Sequence, residues 1–164
     1  MSFLFKNKII VLIVLVVTDQ VSKLVALNNL ILGQSITLFP SFDFTLVFNT
    51  GVAFSLFSEG GDLGRWILVF LVLLVLLYLV YVLFKENLNN FESLSLLLIL
   101  SGGIGNLLDR TLRGYVVDFI HLYYENYSFY VFNFADTCIT IGVIIYIIGM
   151  IYQYKSKGNE NQVS

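Results

Sequence analysis

Residues able to hold or move a proton are few in this chain, and they fall in a few places. Asp19 and Lys23 stand four apart, Asn106, Asp109 and Arg110 follow at i, i+3 and i+4, and Asp118 lies in Val116-Val117-Asp118-Phe119. Asn133 and Asp136 lie in Phe132-Asn133-Phe134-Ala135-Asp136. Apolar runs, Leu94 to Leu100 and Ile139 to Tyr152, lead into and out of this stretch. Ionisable groups at membrane depth cost about 2.5–3.5 kcal/mol each on insertion scales, so their presence points to function. His121 is the only histidine and Cys138 the only cysteine, so no metal-ligating spacing exists. His121 reads as an interfacial side chain and Cys138 as a small core hydrophobe. No exposed Ser–His or Cys–His pair is expected. Carboxylates remain. Two of them in a poorly solvated site cannot both ionise easily, so one keeps a proton. The ionised member can then take a proton from water while the protonated member polarises a carbonyl, which is aspartic-protease chemistry. Asp19 has Lys23 one helical turn away and Asp109 adjoins Arg110, so these two read as structural. Asp118 and Asp136 have no adjacent cation and are the better acid–base candidates.

The elements that must position them are membrane helices. Of 164 residues, 58% are hydrophobic and 12% charged, against about 25% charged in a soluble domain. The net charge of -2 and the lack of a basic patch argue against a nucleic-acid partner. The sequence predicts an all-α membrane protein, one domain over residues 1–164, with four transmembrane helices at about 8–28, 66–84, 94–110 and 135–154. Extracytoplasmic segments occupy about 29–65 and 111–134. Trp66 to Phe84 is the clearest span, uncharged throughout. Ser101, Gly102 and Gly105 allow close helix approach. Asn133 suits an N-cap and Asp136 the first turn after it. Between the first two helices, Phe42 to Asn49 alternates: Phe42, Phe44, Leu46 and Phe48 on one side, Asp43, Thr45, Val47 and Asn49 on the other. Period two predicts a strand and hence a small extracytoplasmic β-like cradle between helices 1 and 2. Gly51 after it suits a turn or a close backbone approach. Glu59 to Asp62 reads as a polar loop, residues 111–134 as a connecting segment with Asp118 in its loop, and the end of the chain as a polar tail.

Lys6, Lys8, Lys85, Lys155 and Lys157 flank one side of this arrangement and Arg65 and Arg113 the other, which places both termini in the cytoplasm. Asp19, Lys23, Asn106, Asp109, Arg110, Asp118 and Asp136 then share one level near the outer surface. An ion or proton pathway would need polar groups at several depths.

At these residues the chain resembles the lipoprotein signal peptidase (signal peptidase II) family of bacteria. The likeness rests on Asp19-Gln20-x-x-Lys23, Asn49-x-Gly51-x-Ala53-Phe54, Gly102-Gly103-x-Gly105-Asn106-x-x-Asp109-Arg110, Val117-Asp118-Phe119 and Phe132-Asn133-x-Ala135-Asp136, in that order and over nearly the whole chain. The resemblance implies an aspartyl endopeptidase of the bacterial plasma membrane, facing outward. It would cut prolipoproteins before a diacylglyceryl-modified Cys, with membrane lipid as the other partner, no cofactor, no metal, and a monomeric state. It puts the catalytic dyad on Asp118 and Asp136. It puts Asn49, Gly51, Asn106, Asp109, Arg110 and Asn133 among supporting or substrate-holding positions, and makes Asp19 and Lys23 a structural and substrate-side pair. Phe48 stands where many members carry a basic or polar residue, and Val52 where Ala is common. The competing class is a non-enzymatic membrane protein, a small transporter subunit or a lipid-binding scaffold, against which the single depth of the polar groups argues. A different intramembrane aspartyl enzyme, such as a prepilin peptidase, would need other motifs around its carboxylates.

Overall fold

The computed structural model of the chain describes residues 3–51 and 61–163. Val52, Ala53, Phe54 and the first part of the expected Glu59–Asp62 loop lie outside the described residues, as do the side chains of Lys6, Lys155 and Lys157. Four of the described helices are long and apolar enough to cross a membrane. They are α1 (Phe3–Asn29), α2 (Gly61–Lys85), α3 (Asn90–Leu112) and α4 (Phe134–Val163). Each outruns its expected bounds, and α4 most of all, because it continues through residues read from sequence as a polar tail.

Composition explains the helices directly. The most apolar 18 residues within Leu63–Lys85 of α2 have a mean hydropathy of 3.3, and Phe70, Val75 and Leu77 are exposed on its surface, as suits contact with lipid. α3 opens with a capping box: the Asn89 side chain accepts from Glu92 N at 2.9 Å, and Glu92 accepts from Asn89 N at 2.9 Å. α3 is the central helix and packs against α1, α2 and, most extensively, α4. Leu76 and Leu83 of α2 meet Leu96, Leu97 and Leu100 of α3 in the buried core. On the α4 side the contact depends on small residues. A Cβ at Gly102 would strike the Ala135 carbonyl oxygen, and one at Gly105 the Asp19 carboxylate.

A four-stranded antiparallel sheet caps one end of the bundle in the order β1 (Ser35–Phe39), β2 (Phe42–Asn49), β3 (Val116–Tyr124) and β4 (Tyr127–Ser128). The predicted strand at 42–49 is present. The cradle is larger than expected, however, because half of its strands come from the connection between α3 and α4. Asp118 therefore lies on β3 and not in a loop. The first four residues of β3 are all buried, so it lacks the period-two alternation that betrays a half-exposed strand. β2 also departs from simple alternation. Its pairing with β3 shifts register between Phe44 and Val47, and Leu46 is buried along with Asp43 and Thr45. The aromatic side chains pack on one another: Phe42 stacks on Phe39 at 4.9 Å, Phe44 lies 6.0 Å from Phe119, and Phe48 stacks on Tyr115 at 4.1 Å.

Candidate active site

The site forms where β3, the end of α3 and the start of α4 converge. The residue before α4's cap is stitched to β3. Phe132 O accepts from Phe119 N at 3.0 Å and Ile120 N at 2.8 Å, and Phe132 N donates to Ile120 O at 2.9 Å. That stitching brings Asp118 and the first turn of α4 together. Asn133 is the N-cap, as its type and position predict. Asp136 N donates to Asn133 Oδ1 at 2.9 Å, and Asn133 N donates to Asp136 Oδ2 at 3.2 Å. Asn49, at the end of β2 and opposite Val116, reaches in from the other side.

Asparagines hold both carboxylates. Asn133 Nδ2 donates to Asp118 Oδ1 at 2.6 Å, and Asn49 Nδ2 donates to Asp118 Oδ2 at 3.0 Å. Asn106 Nδ2 donates to Asp136 Oδ1 at 2.8 Å. Asn133 thus bonds both acids, one through its side chain and one through its backbone. Among the described residues neither acid has a cation at ion-pair distance. The Asp118 carboxyl is 2% exposed and is pushed up to about 6. Burial is the main cause and the like charge of Asp136 adds to it, against the hydrogen bonds from Asn49 and Asn133, which favour the ionised form.

Behind the pair lies a second set of charges. Lys23 has a fully enclosed side chain, and its ammonium donates to Asp19 Oδ2, Asp109 Oδ2 and Asn106 Oδ1, each at 2.9 Å. Three donors meet three acceptors, so this buried cation is fully satisfied. Arg113 pairs with Asp109 and donates to Gln20 Oε1 at 3.2 Å. Asp19, Asp109, Lys23 and Arg113 balance in charge. The two acids also grip the backbone. Asp109 Oδ2 accepts from Val117 N at 3.2 Å, and Asp19 Oδ1 from Ala135 N at 3.0 Å. Each therefore fixes the residue immediately before one of the candidate acid–base pair. Lys23 also orients Asn106, since an ammonium can only donate and must face the amide oxygen. The amide nitrogen is left to face Asp136.

Expectation and structure differ at three points. Asp109 was expected to pair with its neighbour Arg110, but it pairs with Lys23 and Arg113. Residues i and i+1 on a helix diverge, whereas i and i+4 share a face. Arg110 donates to Asn106 O at 3.3 Å, its Nε has no partner among the described residues, and it shares its surroundings with Asp136 and Asp118. Secondly, a Ser–His contact does exist: His121 Nε2 lies 2.7 Å from Ser128 Oγ across β3 and β4. Its other nitrogen faces the Thr45 hydroxyl at 3.4 Å, so no carboxylate orients the ring as a triad requires. Thirdly, Gln20 and Arg113 were not singled out as site residues. The spacing of Arg113 four after Asp109 was the available signal. Gly51 has φ +97 and donates its N–H to Asn49 Oδ1 at 2.9 Å, so it shapes the turn that holds Asn49.

Comparison with known proteins gives a consistent answer. The family model described as Signal peptidase (SPase) II matches residues 11–152. The lipoprotein signal peptidase of Polynucleobacter necessarius is 38% identical over 137 residues, 84% of each chain. That of Shewanella sp. (strain MR-4) is 35% identical over 153 residues, 93% of this chain and 90% of the relative. A solved structure described as a bacterial membrane enzyme superposes with a TM-score of 0.78 at 30% identity, covering 93% of this chain and 92% of that one. With four membrane-crossing helices and the site at their sheet-capped end, the chain belongs to the signal peptidase II family of bacterial membrane proteases.

Proposed function

We propose that this protein is an aspartic endopeptidase that removes signal peptides from prolipoproteins, cutting before a diacylglyceryl-modified Cys at the outer face of the plasma membrane. The observation that carries the reading is the separation of two kinds of carboxylate. Asp19 and Asp109 are neutralised by Lys23 and Arg113, whereas among the described residues the Asp118 and Asp136 carboxylates accept hydrogen bonds only from asparagines and share Asn133. A pair so placed holds one proton between its members. The ionised carboxylate takes a proton from water as the water oxygen bonds to the scissile carbonyl carbon. The protonated one gives its proton to the carbonyl oxygen. The resulting gem-diol collapses as one carboxyl proton passes to the amide nitrogen and a gem-diol hydroxyl returns its proton to the other carboxylate; the C–N bond breaks, a new acid and a new amine terminus are released, and the pair again holds one proton. The unpartnered Nε of Arg110 and the turn at Gly51 are suited to holding substrate backbone beside the pair. Both termini lie in the cytoplasm in this reading, and the protein acts as a monomer.

The test is cleavage of a lipid-modified prolipoprotein by the purified protein, with Asp118→Asn and Asp136→Asn alongside. Both variants should lose turnover by about 10²–10⁴-fold, the usual worth of general acid–base help, while remaining folded. Full activity in either would refute the assignment. An unlipidated substrate should be cut poorly, because the acyl chains supply the binding that sets the scissile bond at this depth. Equal rates on the two forms would remove the lipid from the reading.

A further inference from the structure

α2 leans on α3, and between α2 and α4 it leaves a cleft that runs away from the site toward the opposite end of the bundle. The part nearer the site, about 270 Å³, is walled by Val72, Leu76, Gly103 and Ile139. Ile139 stands one helical turn beyond Asp136. The far part, about 330 Å³, is walled in part by Tyr78, Tyr146 and Glu92, and Leu79 and Ile99 border both parts. Among the described residues, Glu92 is the only charged one lining either part. Its oxygens accept from Asn89 N at 2.9 Å and from Gln153 Nε2 at 3.0 Å, which leaves acceptor capacity on each. Among the described residues no cation stands at ion-pair distance from it.

The distance along α3 fits one kind of occupant. Asp109 and Glu92 are seventeen positions apart, which at 1.5 Å per residue is roughly 25 Å. A signal peptide carries an apolar segment of about 7–15 residues preceded by a positively charged one. At its long end such a segment spans about 22 Å as a helix, so a peptide of that length with its cleavage site at the dyad would present its first basic residue near the level of Glu92. We propose that Glu92, with Tyr78 and Tyr146 lining the same part of the cleft, receives the basic residue that precedes the apolar segment of the substrate. Carboxylate and aromatic faces both favour a cation. The inference rests on the proteolytic reading above and adds a specificity determinant at the far end of the molecule.

Glu92→Gln isolates the charge, because Gln also serves at the third position of a capping box. The experiment compares two lipidated prolipoproteins, one with lysines before the apolar segment and one with glutamines there, cut by purified protein in vesicles. The wild type should show a KM roughly two- to fivefold lower for the lysine form, the range of a partly exposed ion pair, with kcat unchanged. Glu92→Gln should treat the two alike. A preference that survives in Glu92→Gln overturns the proposal. So does an equal rise in KM for both substrates, which would mean that the far part of the cleft holds a lipid headgroup. If the wild type cuts neither while Asp118→Asn matches it, the proteolytic reading itself fails, and this inference with it.

Discussion

Lys23 shows how much one side chain can organise. Its ammonium ties α1 to α3 through Asp109 and Asn106, and Asn106 passes the orientation on to Asp136. Asp19→Asn and Asp109→Asn should therefore lower the folded yield sharply. Breaking a buried pair costs about 3–5 kcal/mol, because the partner's charge is left uncompensated. The measurement is folded protein per cell beside turnover per folded molecule, and a near-normal yield for Asp109→Asn would count against the network. Asp118 behaves differently. Its carboxyl lies at about 6 in the folded protein against an ordinary 3.8. A raised folded value means that the folded state binds the proton more tightly. The stabilising contribution is complete below about 3.8 and is lost as pH rises through about 6. Asp118→Asn does not titrate, so its Tm relative to the wild type should rise across that window and level off above about pH 7. A difference that is flat with pH would show that Asp118 is not so perturbed. At this scale the sequence was informative about residue types and less so about partners. The i, i+4 pairing of Asp19 and Lys23 was readable from spacing. The grip of Asp19 on Ala135 N was not, because it joins α1 to α4 across 116 positions.

Among the elements, the helices were the most legible, since long apolar stretches admit few alternatives in a membrane. β3 was the least. Its buried half reads as an apolar run with one acid in it, and only the neighbouring β2 and Phe132 show that the run is extended. A close helix approach was foreseen from Ser101, Gly102 and Gly105, though neither its partner α4 nor its use. Gly105 gives room for the Asp19 carboxylate that caps the backbone of α4. Gly105→Ala should thus cost about 1–3 kcal/mol, as overpacking does, and should also reduce turnover, because displacing Asp19 frees Ala135 beside Asp136. Thermal melts together with kcat would show whether both effects appear. An unchanged Tm would mean that the seam can yield.

For the whole molecule, the distribution of basic residues predicts an orientation with the sheet outside. Glu125, at the β3–β4 turn with φ 50, is exposed there, and Asn87 lies in the connection between α2 and α3 at the opposite end. In intact cells Glu125→Cys should react with a membrane-impermeant thiol reagent and Asn87→Cys should not. The native Cys138 is buried and should give little background. The reverse labelling pattern would invert the topology and remove the site from the outer face.

The enclosure of Lys23 bears on how the chain enters the membrane. α1 is made long before α3, so when its ammonium and the Asp19 carboxylate first reach the bilayer, neither Asp109 nor Asn106 exists to meet them. Asp19 alone cannot satisfy three donors. Until α3 arrives, the first helix must keep its polar turn at the aqueous boundary or inside the insertion machinery. It can settle to its final depth only when a segment some eighty residues later is threaded beside it. Membrane assembly of this protein is therefore completed from its second half backward. A chain interrupted between α2 and α3 should leave α1 poorly anchored and open to proteolysis, however hydrophobic that helix is.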